Sequence, residues 1–178
     1  MHNRREYETV PEHIDMARIK DNQFEAKDGD RLVDALNKRL DELDIKPRKN
    51  GVLAVEYVMT ASNHIFNTYD AEMYLDQCKE FIEYRHGKEN ILSVAKHFDE
   101  SNPHIHVVVV PIDKRGKLNC REFLGGPKKM RDLQEGFYQY MTMGDPFSTD
   151  PRYGEAPVRN GGTGQEKEGG TREVHRPD

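Results

Sequence analysis

His97-Phe98-Asp99-Glu100-Ser101-Asn102-Pro103-His104-Ile105-His106 gathers three imidazoles and two carboxylates directly ahead of the apolar run Val107 to Val110. That run is β-branched and ends at Pro111-Ile112-Asp113, so His104 to Ile112 reads as a buried strand. Successive strand residues alternate faces, which aims His104 and His106 the same way and Ile105 the other. Ile91 to His97 reads as a second strand, and Asp-Glu-Ser-Asn-Pro has the composition of a connecting loop. An antiparallel pairing of the two strands brings His97 across from the His104 and His106 pair.

Three neutral imidazoles in a facial arrangement hold a divalent ion and leave positions open for water or substrate. Zn, Mn, Fe, Co and Ni all suit such a set, and spacing does not choose among them. Glu100 is placed to orient a ligand, to hold a metal-bound water or to act as a base. The competing reading makes these histidines ordinary polar residues at a strand end, a common fate of short motifs. The density of the cluster favours the metal.

His97-x-Asp99-Glu100-x-x-Pro103-His104-x-His106 resembles the metal motif of the Mob/Pre plasmid mobilisation and recombination proteins, relaxases of the HUH endonuclease superfamily. His2-Asn3-Arg4-Arg5 matches the His-Asn-x-Arg motif of the same proteins, in the same order along the chain. The resemblance runs from His2 to about Met141. It implies that His2 attacks the scissile phosphate, leaving a phosphohistidine link, while Arg5 steadies the phosphate. It also implies a divalent ion, Mn or Mg, and single-stranded or supercoiled plasmid DNA at an origin of transfer, nicked by transesterification with the 5' end kept on the protein for conjugative mobilisation. Most of the superfamily uses tyrosine, so Tyr7, Tyr57 and Tyr69 stand as alternative nucleophiles. Family members usually carry a further strand ahead of this motif, whereas this sequence begins directly on it: either the sequence is truncated, or its start is placed late, or the domain manages with a reduced sheet.

Outward from the histidines, Asp28 to Ile45 reads as a helix with Leu32, Val33, Leu36, Leu40 and Leu43 on its stripe, closed by Pro47. Lys46 to Gly51 is a basic turn. Val52 to Thr60 reads as a strand with Val52, Ala54, Glu56 and Val58 on one face; Glu56 supports the metal ligands or touches DNA if that face bears the metal, and is merely polar if it meets solvent, the reading slightly favoured. Asp70 to His86 is a helix with Met73, Tyr74, Cys78, Phe81 and Ile82 on a stripe that reads as core. Pro127 opens a last helix to about Met141, with Met130, Leu133, Phe137 and Met141 or Tyr140 facing inward. His13 reads as an exposed loop residue.

The chain has 178 residues and a formal net charge of -5, which argues against a protein that coats nucleic acid nonspecifically. Charge is unevenly spread, however: Lys114, Arg115, Lys117, Arg121, Lys128, Lys129 and Arg131 follow the histidine strand almost unopposed and are the expected DNA contacts. Cys78 and Cys120 show no pairing pattern and suit free thiols in a reducing cytoplasm, and no run approaches a membrane span. From Gly144 the composition turns to Gly, Pro, Glu and Thr, so residues 1–143 are expected to form the relaxase domain and 144–178 a disordered tail.

The order strand, helix, strand, helix, strand, strand, helix suits an α+β domain with an antiparallel sheet and helices packed on it, which is also the fold the resemblance implies. Two other readings keep the fold and change the function. One is a metal hydrolase using the three histidines with Glu100 as base; the other is a truncated, non-catalytic DNA-binding remnant. The sequence sets no oligomeric state.

Overall fold

In the computed structural model, which describes residues 11–27 and 31–143, the elements run β1 (Gln23–Ala26), α1 (Leu32–Glu42), β2 (Val55–Thr60), α2 (Asn63–Phe66), α3 (Ala71–His86), β3 (Ile91–His97), β4 (His104–Val109), α4 (Cys120–Leu124) and α5 (Gly126–Met143). His2, Arg5, Tyr7 and the tail expected from residue 144 lie outside the described residues. The strands form one antiparallel sheet in the order β1-β3-β4-β2, so the α+β class holds and the histidine hairpin forms the centre of the sheet. The opening strand is Gln-Phe-Glu-Ala, too short and polar for alternation alone to mark it.

Apolar residues of β4 divide between two layers. Ile105, Val107 and Val109 join Leu75, Cys78, Phe81 and Ile82 of α3 and Tyr140 of α5 in one core. Val108 and Val110 face the other way, onto Ala35 and Leu40 of α1 and Leu118 beyond. Each fully buried aliphatic side chain contributes about 1.5–3 kcal/mol relative to exposure. This two-sided burial explains why β4 reads as a continuous apolar run rather than an alternating one.

Several expected stripes shift. α1 rests on the sheet only from Ala35 onward, leaving Leu32 and Val33 of its first turn 41% and 57% exposed. In α3, Leu75 and Gln77 are buried whereas Met73 is exposed, and the Asp70 side chain caps the helix by accepting from the Met73 amide at 2.9 Å. Met130 likewise stays exposed on α5, which is the helix expected from Pro127; the short α4 precedes it, set off by Gly126, whose φ of 86° other residues resist. β4 leaves the ladder at Val109, short of Ile112, because Pro111 has no amide hydrogen to donate.

Both cysteines are free, and burial pushes the Cys78 thiol up to about 12. No helix of the described residues is long and apolar enough to cross a membrane.

A bulge in β3 sets the site. Ile91 pairs with Val109, but Ser93 pairs with Val108, so two steps along β3 match one along β4. Ile91 faces the α3 core, and an unbroken strand would put every second residue, including His97, on that same face. The bulge reverses the parity, and His97 turns to the other face of the sheet, beside His104.

Candidate metal centre and its surroundings

His97 lies directly opposite His104 in the ladder, and His106 sits two residues further along the same face. The three ring centroids are 4.9, 5.2 and 5.2 Å apart. One donor nitrogen from each falls within 4.8 Å of the others, and Nδ1 of His97 is 3.1 Å from Nε2 of His104. Ligands on metal–nitrogen bonds of about 2.0–2.1 Å stand about 3 Å apart when set at right angles, so this edge already has the spacing of a coordinated pair. His97 and His106 are buried, so the site is held by packing as well as by hydrogen bonds.

The outer nitrogens of the strand pair are anchored. Nδ1 of His104 is 3.0 Å from the Asn102 carbonyl oxygen, and Nδ1 of His106 is 2.9 Å from Glu56 Oε1. Both acceptors call for the hydrogen on Nδ1, which puts the Nε2 lone pairs on the opposite edge of each ring. A set of neutral imidazoles backed this way fits a divalent first-row metal.

The connecting loop is tied from three sides. Thr60 Oγ1 donates to the Pro103 carbonyl at 2.8 Å, the Phe98 amide donates to Asn22 Oδ1 at 2.7 Å, and the Asp15 amide donates to the Asp99 carbonyl at 2.7 Å. The segment from Pro11 to Asn22 is therefore fastened to the loop that carries the histidines. Glu100 borders the cluster, with Oε1 4.0 Å from His104 Nε2. His13 is exposed, as expected.

Glu56 is about half exposed, as the favoured surface reading held, but it is more than a polar surface residue, because its carboxylate reaches His106. The signal is present in the alternation of β2, but only the pairing of Val58 with His106 shows that this face carries the histidines. Of the tyrosines named as alternative nucleophiles, Tyr57 faces away from the histidines. Its hydroxyl is 2.9 Å from His86 Nε2, and Tyr69 donates to Gln77 of α3 at 3.1 Å. Burial pushes the Tyr57 phenol up and the His86 imidazole down to about 4, the latter with help from the neighbouring Arg85 charge.

The basic residues after β4 do not form one patch. Arg115 is clamped by Asp113 at 2.7 Å, Lys128 by Asp132 at 2.8 Å and Lys129 by Glu122 at 3.1 Å. Asp113 also accepts from the Lys117 amide and Asn119 Nδ2; these hydrogen bonds, Asn119's first, hold its carboxyl well below the usual carboxylate range. Arg115, Lys117 and Arg121 line a groove of about 870 Å³ with Lys46 and Arg48, which the sequence marks only as a basic turn; Lys128 and Lys129 do not. This groove lies past the end of β4. At about 3.3 Å per residue, the strand carries the chain about 20 Å from His104 to Val110.

Residues 1–145 match the family model described as plasmid recombination enzyme, Mob/Pre. The plasmid recombination enzyme type 3 of Staphylococcus aureus is 31% identical over 99 residues, which are 54% of this chain and 24% of the relative. The plasmid recombination enzyme of Bacillus thuringiensis is 35% identical over 95 residues, 52% of this chain and 21% of the relative. The matched stretch thus takes up under a quarter of these relatives' length. Among solved structures, the Mn-bound MobM relaxase domain in complex with plasmid pMV158 oriT DNA superposes with a TM-score of 0.65 at 25% identity, covering 78% of this chain and 76% of that one. With its antiparallel sheet, its histidine hairpin and a family match over most of its length, the chain belongs to the Mob/Pre family of plasmid recombination enzymes.

Proposed function

We propose that residues 1–143 form the strand-transferring domain of a plasmid relaxase, which nicks single-stranded DNA at an origin of transfer and keeps the 5' end covalently, and that residues 144–178 are a tail outside it. The observation that carries this reading is the convergence of His97, His104 and His106 within 4.8 Å, with two of the rings anchored from behind. These three side chains would hold Mn or Mg, and the ion's chemistry there would be to polarise the scissile phosphate. The MobM domain, Mn-bound and carrying oriT DNA, supports the choice of ion and substrate by analogy.

The chain's own residues divide the remaining work. An imidazole nitrogen of His2 attacks phosphorus, the bond from phosphorus to the 3' oxygen breaks, and the 5' phosphate stays on the ring as a phosphoramidate. Glu100, beside His104, supplies a carboxylate that moves the proton which the leaving 3' hydroxyl takes up. Arg5 steadies the phosphate oxygens by charge-assisted hydrogen bonds. The fastening of Pro11 to Asn22 onto the histidine loop supports the reading that the His2 motif works at this centre. The reaction takes place in the cytoplasm, where plasmid DNA resides.

Incubating the protein with end-labelled origin DNA, with Mn or with chelator, and resolving the products under denaturing conditions tests this. The expected result is a label-bearing protein band that requires metal, is lost in His2→Ala and persists in Tyr7→Phe. Cut DNA without such a band would replace the relaxase with a hydrolase, and bound but uncut DNA would leave a binding module.

A further inference from the structure

In a chain of net charge -5, cations left without a carboxylate are informative. Among the described residues Lys79 pairs with Glu25, Lys96 with Asp76 and Arg39 with Glu42. Lys46, Arg48, Lys117 and Arg121 make no such pair among the described residues, and all four border the same groove, whose lining holds a single carboxylate, Asp44. Like charges gathered this way repel one another, and a polyanion that neutralises them releases its own counterions on binding.

The groove is also built. One wall is the turn that Asp113 organises, accepting from the amides of Arg115 and Lys117 at 2.9 and 3.1 Å, with Gly116 at a φ of 70°. The other is the loop from Lys46 to Gly51, closed by the Gly51 amide donating to the Arg48 carbonyl at 2.9 Å. Ile45 and Leu118 pack against the cluster that contains Val108 and Val110, which share a sheet face with His104 and His106. The groove therefore adjoins the far end of the sheet face that carries the histidines, and His104 to Val110 is about 20 Å along the chain.

We propose that this groove is a second DNA-binding surface, in which Lys46, Arg48, Lys117 and Arg121 hold backbone phosphates of the segment flanking the scissile phosphate. The proposal rests on the DNA-processing reading above and deepens it. About 20 Å corresponds to some six steps of a B-form strand at about 3.4 Å each, so the groove serves substrates with at least that much flanking DNA when the flank is duplex, and fewer nucleotides when it is stretched. Lys128 and Lys129, which pair with Asp132 and Glu122, are not part of it.

The test compares the intact chain with a variant carrying Lys46→Ala, Arg48→Ala, Lys117→Ala and Arg121→Ala, using fluorescence anisotropy on origin oligonucleotides with two or twelve flanking nucleotides between 50 and 200 mM salt. The variant should bind the long DNA at least tenfold more weakly, and its salt slope should fall by about one for each phosphate-binding cation removed, while binding of the short DNA and of Mn stays unchanged. A slope reduction nearer 0.9 than 0.7 per cation identifies a duplex flank over a single-stranded one. Unchanged affinity and slope for the long DNA would overturn the proposal, as would an equal weakening for the short one. If the fourfold variant melts early, Arg48→Glu on the exposed loop repeats the comparison. A wild-type chain that forms no covalent adduct yet binds in a flank-dependent, groove-dependent way would sink the relaxase reading and keep the groove; adduct formation with an unchanged slope would do the reverse.

Discussion

Glu56 Oε1 stands 2.9 Å from Nδ1 of His106, reaching across from the neighbouring strand to the back of the imidazole. A carboxylate there fixes the ring's tautomer and makes its other nitrogen a better donor. Glu56→Ala should therefore weaken Mn binding by about 10–100-fold, with Glu56→Gln, which keeps an acceptor oxygen, falling in between. Calorimetric titration of the apoprotein reads this directly; equal affinities for all three proteins would show that the hydrogen bond has no bearing on the metal.

His97→Ala removes one donor from a set of three. In the wild type, Mn at about 100 times its Kd should add about 2.7 kcal/mol of stability, visible as a rise in Tm that chelator reverses. The variant should show little of that rise. A full Mn-dependent rise in His97→Ala would mean that the ion sits elsewhere.

Tyr57→Phe should leave the yield of covalent adduct unchanged, because the hydroxyl lies on the far side of the sheet and meets His86 instead of the metal face. It should cost about 1 kcal/mol in urea unfolding through removal of that hydrogen bond. A drop in adduct at unchanged stability would reopen the case for this tyrosine.

His86 makes stability depend on pH. Burial lowers its imidazole from 6.5 to about 4, so between those values the unfolded chain binds more protons than the folded one. The contribution is complete above pH 6.5 and is lost as pH falls towards 4, the loss reaching about 3 kcal/mol at the lower end. His86→Gln, which still offers Tyr57 an acceptor, should flatten the difference in unfolding free energy between pH 7 and pH 4.5 relative to wild type. Parallel pH profiles would assign the acid sensitivity to other groups.

How much of the fold and the site is legible in the sequence follows from how local each signal is. Ile91 to His97 reads correctly as a strand because β-branching and flanking turns lie within a few residues of one another. The stripes of α1, α3 and α5 come out one or two positions too wide, since periodicity shows which residues share a face but not where along the helix the sheet begins to cover it.

By itself the sequence determined the α+β class, the central hairpin and the three imidazoles, because alternation and turn chemistry act over a handful of bonds. Tertiary structure alone decided what depends on pairing across the sheet. Six residues apart, Ile91 and His97 should share a face, and only the bulge against Val108 and Val109 sends one into the core and the other to the histidine cluster. The same holds for Glu56 behind His106 and for Lys46 and Arg48 beside Lys117 and Arg121: registers and chain crossings join residues that no local pattern connects.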